Sequence, residues 1–136
     1  MTIAACFCGS GKPYAQCCGR FMETVEGVEA APTAEALMRS RYSAYVLRHE
    51  VYLLSTWHKS TRPASLQLDH AAATQWLGLD VKRHVVNAAD DDIAIVEFVA
   101  RFKIGGRLGK RAERMHEVSH FIREHGRWFY VDGEHP

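Results

Sequence analysis

The sequence predicts an α+β protein, with helices first and then an antiparallel sheet packed on them, preceded by a small metal knuckle. Three observations carry this. Apolar residues recur at helical spacing through the stretch that follows Thr33. After Gly78 the period drops to two. All four cysteines of the chain fall inside thirteen residues, as Cys6-Phe7-Cys8 and Cys17-Cys18.

The knuckle comes first, over residues 1–20. Four thiolates fill a tetrahedral zinc sphere at about 2.3 Å each, so Cys6, Cys8, Cys17 and Cys18 are the candidate metal ligands. Disulfides are the rival reading. A bridge needs Cα atoms about 4.4–6.8 Å apart with suitably aimed side chains. Neighbouring cysteines meet that only with strain, and only a crossed pairing of the two halves is open to them. A sphere closed by four cysteines has no vacant position, so the expected role is structural rather than catalytic. Gly9-Ser10-Gly11 follows Cys8 and permits positive φ, which turns amide N–H groups back towards sulfur. Lys12 and Arg20 are candidates to offset the charge of a zinc tetrathiolate. A stretch this short buries no core, and metal binding is expected to supply its folding energy.

Residues 21–32 read as a connection rich in small and acidic residues, and residues 33–136 as the body. The body has its own helical stripe and strands, so it is expected to fold without the knuckle. Thr33 is the expected N-cap of the first helix, with Ala34-Glu35-Ala36 behind it. Leu37, Met38, Tyr42, Tyr45 and Val46 follow at helical spacing. A second helix holds Val51 to Leu54 and ends near Trp57-His58, before Arg62-Pro63. A third short helix is expected from about Asp69 to Trp76, with Gly78 as its stop. Then Leu79, Val81, Arg83 and Val85 alternate with Asp80, Lys82 and His84. Asp90-Asp91-Asp92 marks a turn. Val96, Phe98, Ala100, Phe102 and Ile104 line one face of a long strand, and Gly105-Gly106 turns it. A further strand runs from Met115 to Glu124, and His125-Gly126 is a tight hairpin into Trp128-Phe129-Tyr130-Val131.

Composition narrows the function classes. Lys plus Arg total 17 against 16 for Asp plus Glu, a formal charge of +1. That balance argues against a strongly electrostatic nucleic-acid binder. Hydrophobic content is ordinary for a soluble domain. No long apolar run or secretory segment is seen, so no membrane association and a cytoplasmic address are expected; reduced cysteine clusters bind metal there. One asymmetry stands against the neutral average: residues 101–127 carry eight basic residues against three acidic ones, partly in the loop around Arg107, Lys110 and Arg111. An acidic partner such as RNA or the ribosome is one reading. Lysine and arginine guarding a solvated hairpin is the other, and it is preferred.

Five segments carry a family resemblance. Cys6-Phe7-Cys8-Gly9-Ser10-Gly11-Lys12-Pro13-Tyr14-Ala15-Gln16-Cys17-Cys18-Gly19 resembles the SEC-C motif, a small zinc module. Leu37-Met38-Arg39-Ser40-Arg41-Tyr42-Ser43-Ala44-Tyr45, Tyr52 to His58, Gln75 to Leu79 and Gly126 to Gly133 resemble the bacterial YchJ family. The likeness covers nearly the whole chain and departs mainly between Arg107 and Met115, where basic residues are added. It implies zinc as cofactor, and a body similar to the nuclear-transport-factor-like cone, a curved antiparallel sheet wrapped around helices. That fold hosts enzymes, ligand binders and dimerisation modules, so it does not name a function.

The pool of polar and aromatic groups for such a cone is Arg39, Arg41, Tyr42, Tyr45, Trp57, His58, Glu117 and Tyr130. Each has a plainer role available, in capping, ion pairing or core packing. His58 with Glu117 is the nearest thing to a catalytic pair. No local motif supplies a nucleophile beside it, and no catalytic residue is assigned. His116 and His120 sit about 13 Å apart on a strand and cannot share a metal. Three classes follow: a zinc-stabilised interaction or adaptor protein with a protein partner, which is preferred; a binder of a small, anionic ligand or an enzyme using the cone; and a nucleic-acid binder through the basic hairpin.

Overall fold

The computed structural model describes residues 5–22, 29–66, 68, 74–104 and 112–136. A 3-10 turn, Tyr14–Gln16, and the one-turn helix α1, Gly19–Met22, close the knuckle. Helix α2 runs Ala34–Leu47 and α3 runs Glu50–Ser55. Four strands follow: β1 Thr74–Val86, β2 Ile93–Ile104, β3 Ala112–Glu124 and β4 Arg127–Glu134. They form one antiparallel meander in the order β1-β2-β3-β4. The architecture is α+β, with α2 lying against β1, β2 and β4.

Local chemistry explains the helix ends. Thr33 caps α2, its hydroxyl accepting from the Ala36 amide at 3.0 Å. Arg48 ends α2 in the left-handed region, φ 56°. His49 caps α3 through its ring nitrogen, which accepts from the Tyr52 amide at 3.2 Å. Helix α3 stops at Ser55, short of the Trp57-His58 end expected from the sequence. There the chain straightens and borrows the edge of β4. The Tyr130 amide donates to Thr56 O at 2.8 Å, and the His58 amide donates to Tyr130 O at 2.7 Å.

The helix expected to end at Trp76 does not extend over Thr74–Trp76. Residues 69–73 lie outside the described residues, but Thr74, Gln75 and Trp76 already belong to β1 and pair with Ile104, Lys103 and Phe102. Gly78 is no helix stop. It sits inside the strand at a register shift, where a methyl group would meet the Arg101 guanidinium. A glycine in a strand marks such a bulge or close approach. A second shift between Val81 and Arg83 overturns the simple alternation read for β1. One extra residue flips every later side chain. Beyond it His84 and Val86 pair with Val96 and Ala94 of the inner face, and at the strand end Val85 and Val86 are left 42% and 43% exposed. The long strand keeps its expected faces, with Val96, Phe98 and Ala100 buried. The Gly105-Gly106 turn and the basic loop at Arg107 to Arg111 lie outside the described residues.

The apolar core is one cluster. It joins Leu37, Met38 and Tyr42 of α2 to Val96, Phe98, Phe121 and Trp128 of the sheet, and it also contains Cys6, Cys8 and Cys18. The knuckle therefore shares its core with the body, contrary to the independent folding expected from the sequence. Its loop of small residues lets the backbone come close, and the cysteines are themselves compact apolar side chains.

Candidate metal centre and interior cavity

Helix α2 positions both sites, one on each face. Arg39 and Ser43, four residues apart, turn to the knuckle, while Met38, Arg41, Tyr42 and Tyr45 turn to the concave face of the sheet.

In the knuckle the four sulfurs of Cys6, Cys8, Cys17 and Cys18 lie within 4.8 Å of one another. Cys8 and Cys17 are 3.6 Å apart, and all four are free thiols. Sulfurs at about 2.3 Å from a tetrahedral ion stand about 3.8 Å apart, so the cluster fits a metal with little rearrangement. The disulfide alternative is absent. Gly9 and Gly11 take φ of 80° and 83°, the positive values this loop was expected to need. Ser10 Oγ lies 3.1 Å from the Cys17 sulfur and Ser43 Oγ lies 3.7 Å from that of Cys6. The thiols do not titrate alike. A hydrogen bond with Cys18 pulls Cys8 from 9.0 down to about 4. Burial pushes Cys17 up, and the bond to Cys8, then burial, pushes Cys18 up. A cation suits such a cluster, because each ligand sulfur binds as thiolate. Arg39 supplies a charge the sequence did not point to. It donates to Cys8 O at 2.8 Å and pairs with Glu35 at 3.0 Å. Lys12 and Arg20 line a groove together with Cys17, Cys18 and Arg39.

The second site is a cavity of about 240 Å³ between α2 and the sheet. Of the eight residues in the sequence-derived pool, Arg41, Tyr42, Tyr45, Glu117 and Tyr130 line it. Arg39 does not, because it faces the knuckle. His58 does not either; its ring bonds Glu124 at 3.0 Å and Ser60 at 2.7 Å, so neither Glu117 nor the last carbonyls of α3 engage it. Trp57 stands behind the wall, stacked on Arg41. Trp76, Met38, Phe98, Met115 and Ser119 complete the lining. Trp76 was hidden by the helix expected at its position.

Arg41 is 3% exposed. Its η1 nitrogen donates to Leu53 O at 2.8 Å and to Thr56 Oγ1 at 2.6 Å. The guanidinium packs against the rings of Trp57 and Tyr130, at 5.2 and 4.6 Å from their centroids, while the two rings meet each other edge-on at 5.0 Å. Burial lowers its pKa. Burial likewise raises Tyr45 and Tyr130, and keeps both hydroxyls protonated. Glu117, 8% exposed, accepts from Ser119 at 2.5 Å and from the Tyr130 hydroxyl at 3.4 Å. It also pairs with His135 at 3.1 Å, a partner near the chain end that no local pattern signals. Gly133 faces it, and a methyl group there would collide with the carboxylate. The two histidines of β3 pair away from the cavity, His116 with Glu97 and His120 with Asp132, both at 2.6 Å.

Residues 33–133 match the family model described as the YchJ middle, nuclear-transport-factor-like domain, and residues 4–20 match the SEC-C motif. The chain belongs to the YchJ family. A UPF0225 protein of Chromobacterium violaceum is 56% identical over 133 residues, covering 96% of this chain and 92% of its own. One from Xanthomonas campestris is 52% identical over 127 residues, covering 93% and 92%. A SEC-C motif containing protein from Rhodopseudomonas palustris, solved in solution, superposes with a TM-score of 0.82 at 34% identity, covering 98% of this chain and 99% of that one. A crystal structure of a SEC-C motif containing protein from Psychrobacter arcticus gives 0.73 at 29% identity, covering 96% and 81%. The family's cone is thus the fold of this body. No helix among the described residues is long and apolar enough to cross a membrane.

Proposed function

We propose that this chain is a zinc-braced small-ligand-binding protein. Zinc held by Cys6, Cys8, Cys17 and Cys18 closes the knuckle onto one face of α2, and the cavity on the other face takes the ligand. One observation carries the second half: a mainly apolar cavity of about 240 Å³ lined by two buried polar groups, the Arg41 guanidinium and the Glu117 carboxyl. Ligand sites combine apolar walls with a few placed polar groups in this way. Four soft sulfur ligands in a closed sphere support zinc in a structural role. A reducing, cytoplasmic address belongs to the same reading, since ligation needs thiolates.

The sequence favoured an adaptor with a protein partner. That reading keeps one supporting observation, a groove of about 420 Å³ beside the knuckle lined by Lys12, Arg20 and Arg39. Two of those cations are already paired, Arg20 with Glu29 and Arg39 with Glu35, so the cavity is the stronger candidate.

Ligand-observed NMR with indole, a neutral aromatic probe, tests the cavity. Broadening of the probe signals is expected with the zinc-loaded chain and not with Met38→Trp, which fills the space from α2. Circular dichroism checks that the variant keeps its fold, and Ala100→Val serves as a milder filling variant from the sheet side. Equal broadening with the filled variants would place the probe elsewhere and contradict the reading.

A further inference from the structure

We propose that the cavity takes a small planar aromatic carboxylate that also carries a hydrogen-bond donor, such as a hydroxy- or amino-substituted aromatic acid. This rests on the reading of the cavity as a ligand site and names the chemistry that site selects.

Arg41 sets the first pole. A guanidinium carries five N–H donors. Its hydrogen bonds to Leu53 O and Thr56 Oγ1 both come from the η1 nitrogen, so even with the Tyr45 hydroxyl nearby at least two donors remain unspent among the described residues. Among the described residues no carboxylate forms an ion pair with it, although it is 3% exposed. A buried cation without an anion is costly, and its donor fork matches a carboxylate edge in two parallel bonds. The rings of Trp57 and Tyr130 fix the plane of that fork, so little freedom is lost when an anion docks.

Glu117 sets the second pole. Ser119, Tyr130 and His135 hold it in place. An ionised carboxylate offers about four lone-pair sites, so it accepts one more donor. Among the described residues Glu117 and Arg41 form no ion pair, and Tyr130 stands by both, its hydroxyl on Glu117 and its ring 4.6 Å from the guanidinium. A ligand with a carboxylate alone would turn a bare ring edge to Glu117. A hydroxyl or amine at the far end meets that carboxylate with a charge-assisted bond.

The walls set the shape. Trp76, Phe98, Met38 and Met115 present flat or soft apolar surface that packs on a ring. A dry cavity of about 150 Å³ takes benzene, so one of about 240 Å³ holds a single substituted ring and excludes a nucleotide. Tyr45 and Trp76 also line a neighbouring cavity of about 260 Å³, which adjoins the site.

Calorimetric titration of the zinc-loaded chain with 4-hydroxybenzoate, benzoate, phenol and indole tests the proposal. The expected result is 4-hydroxybenzoate binding at least about tenfold tighter than each of the other three, the gain of one charge-assisted bond. Arg41→Lys, which keeps the charge and loses the fork, should weaken both carboxylates by about tenfold and leave phenol unchanged. Glu117→Gln should shrink the advantage of 4-hydroxybenzoate over benzoate by about threefold or more. Should Arg41→Lys fail to fold, the probe ranking on the unaltered chain still decides. Benzoate, phenol or indole within tenfold of 4-hydroxybenzoate overturns the ligand class and leaves the cavity reading standing. No heat from any probe at millimolar concentration overturns both.

Discussion

Replacing Cys8 by serine should unfold the body together with the knuckle. Cys8 is fully buried, and Cys6 and Cys18 are 6% and 1% exposed, in the same cluster as Leu37, Val96 and Phe121. The variant loses one of four zinc ligands. Structural zinc contributes on the order of 10–16 kcal/mol in small finger peptides, where binding energy is folding energy. A whole domain has only about 5–15 kcal/mol of stability. Even a third of the zinc contribution, about 4 kcal/mol, would take most of the lower figure. Detaching the knuckle would also strip the cover from Leu79, Met38 and Tyr42. Amide exchange on Cys8→Ser, or on the unaltered chain after chelation, reads the outcome strand by strand. Loss of protection in β2 and β3 along with the knuckle is expected. Protection lost only before residue 22, with the strands unchanged, would refute the shared-core reasoning.

Two further outcomes follow from α2 and α3. Burial first, against a 2.7 Å hydrogen bond to Ser40, pushes Tyr52 from 10.0 up to about 12. Its folded pKa is raised, so its contribution is complete below pH 10 and is lost as pH climbs towards 12; two units correspond to about 3 kcal/mol. Denaturant titrations across that window should show the decline, and Tyr52→Phe should flatten it. Arg39→Ala removes the donor to Cys8 O, a support one step behind a ligand. About tenfold faster zinc transfer to a chromogenic chelator is expected, with an unchanged far-ultraviolet spectrum.

The legible parts of this chain were those where one residue type has one physical use. Four cysteines in a short stretch leave few options, and the sulfurs do converge. Thr33 caps its helix because its hydroxyl meets the free amide of Ala36. Val96, Phe98 and Ala100 alternate because that face of the strand packs into the core. Arg39 and Arg41 were read as one pocket pair, yet residues two apart on a helix face different ways; one serves the knuckle and the other the cavity. The missed features depend on distant neighbours. Gly78 looks like a stop, but Arg101 from the next strand occupies the space beside it. The shift at Val81 to Arg83 is set by pairing with β2. His135 reaches Glu117 only because Ser119 and Gly133 are opposite each other in the β3–β4 register.

The zinc brace is the claim on which the rest of the account leans, and metal content tests it most directly. Native mass spectrometry of the reduced chain should show one zinc per chain, and none in Cys8→Ser. A chain free of metal whose mass matches two disulfides would contradict it.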